Sequence, residues 1–303
     1  MRRIWGVGWV LLLLSCSAPM PQGGEGIVVT TGILGDAVRQ IVHNDVPVRV
    51  LMGPGVDPHL FKPTPQDVES LQRAACVVAH GLRLEGKMED ILRALARRVP
   101  VVFAAERLPG ELLRLVGPQT YDPHLWQSVR LWRMVVEQLA DTLAVLFPQW
   151  GELWRKRARQ YGRRLENLDA WVREQVAQIP PQRRLLITMH DAFAYFGREY
   201  GLRTVALQGI STTTEFGLRD MIRIADTIVA RKVSAVFVES TIPPRLMENV
   251  VQMARLRGAS VRIAGQLYSD ALGAVGSGAE TYEGMIRANV ESIVRGLRGE
   301  MLP

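Results

Sequence analysis

Short apolar runs rich in β-branched residues recur along the chain and alternate with stretches of helical spacing. The first four are Gly26 to Thr31, Val46 to Met52, Ala75 to Ala79 and Pro100 to Ala104. A second set follows at Arg184 to Met189, Arg203 to Leu207, Ser234 to Glu239 and Ser260 to Ala264, with helices predicted around 216 to 231, 244 to 256 and 280 to 298. Short β-branched runs alternating with helices argue for parallel sheets covered by helices on both faces. The pattern therefore predicts two α/β lobes with four candidate strands each.

Between the two sets, apolar positions fall at Trp154, Ala158, Tyr161, Leu165, Leu168 and Val172. Steps of four and three make a helix stripe. Pro148 precedes it and Pro180-Pro181 follows it, so one helix of about 149 to 178 is predicted, near 45 Å long at about 1.5 Å per residue. With one partly apolar side and a charged remainder, it reads as a strut joining the lobes rather than a core element. A dimerising coiled coil is the weaker alternative, because the stripe is short and mixes Ala with two bulky aromatics. A cleft between the lobes is where loops at the carboxyl ends of parallel strands would hold a ligand.

Met1-Arg2-Arg3 precedes the apolar run Val7 to Leu14, which is too short to cross a bilayer of about 30 Å as a helix. Residues 1–15 read as a signal peptide, and the order Leu13-Leu14-Ser15-Cys16 resembles the bacterial lipoprotein signal, in which Cys16 becomes the lipidated first residue. A small and Gly-rich tether, 16–25, would then lead into an N-terminal lobe at 26–147, the linking helix at 148–180 and a C-terminal lobe at 181–303. A buried N-terminal helix is the alternative, disfavoured by the arginines before it and the tether after it.

The chain has two cysteines, so lipidation of Cys16 leaves Cys76 no partner and excludes a stapling disulfide. Cys76 sits among Ala and Val and reads as a core residue. The formal net charge of +7 becomes +5 without Arg2 and Arg3, and its densest group, Arg155 to Arg164, has no aromatic-basic interleaving. A nucleic-acid partner is not predicted.

Three of the five histidines, His59, His124 and His190, lie just beyond apolar or strand-like runs, and the first two end the same tripeptide, Asp57-Pro58-His59 and Asp122-Pro123-His124. Imidazole suits zinc and its neighbours. If both sheets aim their carboxyl ends at the cleft, His59 and His124 approach from one side, and His190 and Asp270 from the other. Four protein ligands leave no position for substrate, which points to holding a metal rather than to catalysis. The His59 loop is stiffened by proline and by a helix start at Thr64, Pro65 and Asp67 that resembles a capping box. His43 and His80 are poorer candidates, one in a helical segment and the other at a strand end without a partner. Separate surface histidines, or a metallohydrolase with an open coordination position, remain the alternatives.

The residues resemble the metal-binding receptors of bacterial ABC transporters, the extracytoplasmic solute-binding family for zinc and manganese. The resemblance covers nearly all of the chain after Gly26. Its motifs are Asp57-Pro58-His59 with Pro63-Thr64-Pro65, Gly81-Leu82-Arg83-Leu84-Glu85, Asp122-Pro123-His124-Leu125-Trp126, His190-Asp191-Ala192-Phe193-Ala194-Tyr195-Phe196, Gly209-Ile210-Ser211-Thr212, Val238-Glu239-Ser240 and Tyr268-Ser269-Asp270. It implies two lobes, each with a four-stranded parallel sheet flanked by helices, joined by one long helix with the metal site in the interlobe cleft. It places the ligands on His59, His124, His190 and Asp270. It further implies a monomeric, non-enzymatic receptor tethered through Cys16 at the periplasmic or extracytoplasmic membrane face, serving a membrane ABC permease, with modest lobe motion. Some members contribute to adhesion.

His190, where manganese-directed relatives often present Glu, favours Zn2+ over Mn2+. Against it, Arg107 to Gln119 lacks the His-rich loop of many zinc-directed members. Asp57, Asp122, Asp191 and Glu239 are candidates to orient the imidazoles or shape the cleft.

Overall fold

The computed structural model describes residues 24–213 and 217–300. The expected signal peptide, Cys16 and most of the tether lie outside the described residues. The N-terminal lobe runs β1 (Ile27–Thr31), α1 (Gly32–Val42), β2 (Val48–Met52), α2 (Pro65–Arg73), β3 (Cys76–Ala79), α3 (Met88–Leu95) and β4 (Val101–Phe103). Its sheet has the order β2-β1-β3-β4, parallel throughout. Every residue of β1 and β3 is buried, which is why these central strands read as unbroken apolar runs. Cys76 is one of them, and burial pushes its thiol pKa up to about 12.

A small antiparallel hairpin, β5 (Leu115–Gly117) and β6 (Thr120–Tyr121), then leads into α4 (Val129–Leu146) and α5 (Gly151–Ala177). The C-terminal lobe follows with β7 (Leu185–Thr188), α6 (Ala194–Tyr200), β8 (Arg203–Ala206), α7 (Leu218–Ala230), β9 (Ala235–Glu239), α8 (Arg245–Leu256), β10 (Arg262–Leu267) and α9 (Tyr282–Arg298). Its four strands form two parallel pairs, β7 with β8 and β9 with β10, and β7 lies against β9. At the cleft end of that seam a side chain does the joining: Glu239 Oε1 accepts the N–H groups of Met189 and His190 at 2.7 and 2.9 Å.

The long helix departs from the strut expected of it. All six stripe residues, Trp154 to Val172, are buried, and α4 packs along α5. One continuous apolar core takes Val29 and Leu34 from the N-terminal lobe, Leu139, Leu165 and Leu168 from α4 and α5, and Phe237, Leu267 and Val290 from the C-terminal lobe. Helices α2 and α3 close a smaller core on the outer face of one lobe, and α7 and α8 do so on the other. So α5 is a core element shared by both lobes. Its charged remainder is anchored too: Arg157 donates to the carbonyl of Val42 at 3.1 Å, and Arg173 reaches the carbonyl of Glu199 at 3.0 Å.

A core common to both lobes predicts that Leu165→Ala or Leu168→Ala costs about 2–5 kcal/mol. Denaturant unfolding should show one shared transition at lower denaturant, whereas loss of one lobe's signal alone would contradict a common core.

Candidate metal centre

Each lobe delivers its polar groups on loops that leave the carboxyl ends of strands. His59 lies on the loop between β2 and α2, whose far end is fastened by a full capping box: Thr64 Oγ1 accepts the Asp67 N–H at 3.2 Å, and the Thr64 N–H donates to Asp67 Oδ2 at 2.9 Å. Its near side rests against Gly86, where φ is +51° and a Cβ would stand 2.6 Å from the His59 carbonyl oxygen. Only glycine combines that backbone with that approach. Gly86 ends a tight loop in which Leu82 and Arg83 also have positive φ. Buried Glu85 holds this loop by accepting from the N–H groups of His80 and Gly81 and from the Thr30 hydroxyl.

His124 follows the hairpin and opens a one-turn 3-10 helix, Leu125–Gln127. His190 comes two residues after β7, and Asp270 three residues after β10. The four side chains meet between the lobes. His124 Nε2 is 3.3 Å from both His59 Nε2 and His190 Nε2, and the Asp270 oxygens are 3.4 Å from His124 Nε2 and 3.2 Å from His190 Nε2. One donor atom from each residue fits within 4.8 Å of all the others, and all four residues are buried.

Proton placement decides what such a cluster can do. His124 Nδ1 faces Asp122 Oδ1 at 2.7 Å, and His190 Nδ1 faces Glu239 Oε2 at 2.5 Å. Each carboxylate holds an imidazole N–H at Nδ1, which aims the ring's Nε2 into the cluster. Burial lowers the His59 pKa to about 3, so that ring is neutral. For Asp270, burial would favour the acid, but His190 and His124 outweigh it and hold the carboxyl below its usual range. Both Asp270 oxygens are buried without a hydrogen-bond donor. Three Nε2 atoms and an ionised carboxylate converge here, and a divalent transition metal that displaces the proton of His190 satisfies all four. The residues fit such a cargo.

Of the four candidate carboxylates, Asp122 and Glu239 orient imidazoles. Asp57 instead accepts the backbone N–H of His59 at 2.8 Å, and Asp191 binds Arg114 at 2.9 Å. His43 is exposed and ends α1. His80 is buried and uncharged, its pKa lowered by burial to about 3, and its Nε2 lies 2.7 Å from the carbonyl of Pro123. It thereby braces the residue before His124 and is not part of the cluster.

Arg114, Tyr195 and Trp126 were not assigned any role from the sequence. Trp126 Nε1 donates to the carbonyl of Ser269 at 2.8 Å, and Gln127 Nε2 joins it at 3.1 Å, which ties the His124 turn to the residue before Asp270. Trp126 and Tyr195 do fall within the motifs quoted above. Arg114 lies in a stretch with no periodic signal.

Two α/β lobes on a shared long helix, with a buried three-histidine, one-aspartate cluster between them, define an extracytoplasmic metal-binding receptor, a carrier rather than an enzyme. The chain belongs to the family described as zinc-uptake complex component A, periplasmic, whose model matches residues 27–296. These receptors are lipid-anchored and deliver a divalent transition metal through an ABC system. Over 273 residues the chain is 42% identical to the manganese-binding lipoprotein MntA of Bacillus subtilis, covering 90% of this chain and 89% of that one. It is 40% identical over 275 residues to the zinc-binding protein TroA of Treponema pallidum, with the same coverage. The solved structure of the Treponema pallidum periplasmic zinc-binding protein TroA superposes with a TM-score of 0.88, covering 90% of this chain and 99% of that one.

Glu239→Gln removes the charge and leaves one oxygen for the Met189 N–H, the His190 N–H and His190 Nδ1; it is expected to weaken metal binding about 10–100-fold, read by competition with a chelator of known affinity, and unchanged affinity would contradict the orienting role. Burial opposes a charge on His190, but Glu239 and Asp270 outweigh it and raise its pKa well above the ordinary value. A proton therefore competes with the metal for this ring, and affinity should rise with pH by up to about tenfold per unit. A pH-independent affinity across the neutral range would contradict that competition.

Proposed function

We propose that His59, His124, His190 and Asp270 ligate a single ion, Zn2+ in preference to Mn2+, captured outside the cytoplasm and handed to a membrane ABC permease. The observation that carries the reading is the convergence of three histidine Nε2 atoms and a carboxylate in one buried cluster between the lobes. Three imidazoles with one carboxylate make a borderline-soft donor set, which suits zinc better than a site richer in oxygen. The relatives pull both ways, since one is named for zinc and another, equally similar, for manganese. The donor set favours zinc here.

The proposed organisation is a signal peptide at 1–15, a tether at 16–25 attached to lipid through Cys16, lobes at 26–147 and 181–303, and the linking helix at 148–180. The receptor acts as a monomer and has no nucleic-acid partner. The shared core supports modest lobe motion, because a wide hinge would have to open apolar surface along α5.

Protein purified without added metal should carry about one transition ion per chain, measured by elemental analysis, and changing His59, His124 and His190 together to Ala should abolish it. Retained stoichiometry in that variant would sink the ligand assignment. Uptake of labelled zinc and manganese by the intact transporter, against a strain lacking the gene, tests the cargo. Transport of manganese in preference to zinc would overturn the zinc assignment whatever the affinities of the purified protein.

A further inference from the structure

The two Asp-Pro-His tripeptides share an arrangement that their common sequence does not disclose. In each, one aspartate oxygen holds the histidine two residues on, and the other is connected to the opposite lobe. Asp57 Oδ1 accepts the His59 N–H at 2.8 Å, while Asp57 Oδ2 accepts the hydroxyl of Thr212, on the loop after β8, at 2.7 Å. Asp122 Oδ1 accepts the His124 N–H at 3.0 Å and faces its Nδ1 at 2.7 Å. Asp122 Oδ2 takes one arm of Arg114 at 2.9 Å, and the other arm reaches Asp191, next to His190, at 2.9 Å. The Arg114 N–H also donates to the hydroxyl of Tyr195 on α6, which in turn donates to the Asp122 carbonyl.

A guanidinium with two carboxylates on separate arms keeps both bonds only while the carboxylates keep their spacing, because charge-assisted bonds of this kind are short and directional. Asp122 belongs to one lobe and Asp191 to the other, so that spacing is an interlobe distance. The same holds for Asp57 and Thr212. Metal coordination tolerates ligand displacements of only about 0.2 Å. A lobe shift large enough to break these contacts therefore frees Asp57 and Asp122, and with them His59 and His124.

We propose that Arg114 and Thr212 are positioning residues that transmit the position of the C-terminal lobe to both N-terminal-lobe ligands, so that parting the lobes loosens two of four ligands at once and speeds release of the ion. The inference rests on the four-residue site proposed above. Neither residue touches the cargo. Their contribution lies in making ligand geometry conditional on lobe contact.

The test uses the full mature chain loaded with Zn2+, with the dissociation rate read by transfer to an excess of chromogenic chelator and unfolding of the metal-free protein followed in parallel. Thr212→Val keeps the side-chain shape and removes the hydroxyl. Arg114→Met removes the bridge, and Arg114→Lys keeps the charge but cannot hold two carboxylates on a planar fork. Dissociation should speed up about tenfold in Thr212→Val and in Arg114→Met. The double variant should be faster than either, and Arg114→Lys should recover only part of the loss. Metal-free unfolding of Thr212→Val should stay within about 2 °C of the parent, whereas the Arg114 variants also unpair the buried Asp122 and lose stability.

A double variant that releases zinc within about twofold of the parent rate overturns the proposal. So does a Thr212→Val variant whose lost metal-free stability accounts for its faster release, since that is a purely structural role. If the Arg114 variants fail to fold, Thr212→Val, on a half-buried loop, decides alone. A parent protein that binds no zinc sinks the site itself, whereas a parent that binds one ion with unchanged variants sinks only the coupling.

Discussion

Three imidazole nitrogens and a carboxylate, all buried, face one another across the cleft, and most of what surrounds them is arranged to aim them there. An imidazole free to turn would lose its place in the cluster. Asp122 and Glu239 prevent that at His124 and His190 by accepting from Nδ1. Burial keeps His59 neutral. The cost of leaving Asp270 without a donor is offset only by a cation, and the same unsatisfied state gives the site its appetite for metal.

Keeping the cluster together requires the lobes to be held in register, and the apolar interior does this. Trp154 to Val172 run along α5 through a core that includes strands and helices of both lobes. Two lobes with separate cores on a solvated strut could swing freely. Two lobes sharing a core can shift only slightly before apolar surface opens, which suits a site whose donors must stay within tenths of an ångström. Trp126 and Gln127, bonded to the carbonyl before Asp270, add a polar tie across the same seam.

The loops carry the corresponding expense in backbone conformation. Leu82 and Arg83 sit at positive φ, a conformation that costs about 1 kcal/mol or more for residues with a Cβ. Carboxylates compensate: Glu85 gathers the N–H groups of His80 and Gly81, Glu106 takes that of Leu82, and Glu89 that of Arg83. The gain is a compact turn that lets Gly86 press against the His59 carbonyl and His80 brace Pro123. One strained loop thus steadies both N-terminal-lobe histidines of the cluster.

The sequence by itself determined the strands, the long helix and the two-lobe order, because fully buried strands and a helix stripe leave periodic signatures that local residues write alone. It also marked His59, His124, His190 and Asp270, since metal chemistry restricts the residue types and the strand ends restrict their places. It did not show α4, the hairpin at 115–121, or that α5 is interior, for burial of a half-charged helix depends on what packs against it. Nor could it separate the carboxylates that face an imidazole, Asp122 and Glu239, from Asp57 and Asp191, which do not. Asp57 and Asp122 stand in identical tripeptides. Only the folded chain distinguishes them: Asp122 meets its own imidazole and Arg114, and Asp57 meets Thr212 of the opposing lobe, because a carboxylate's partner is settled by what the tertiary fold brings within about 3 Å.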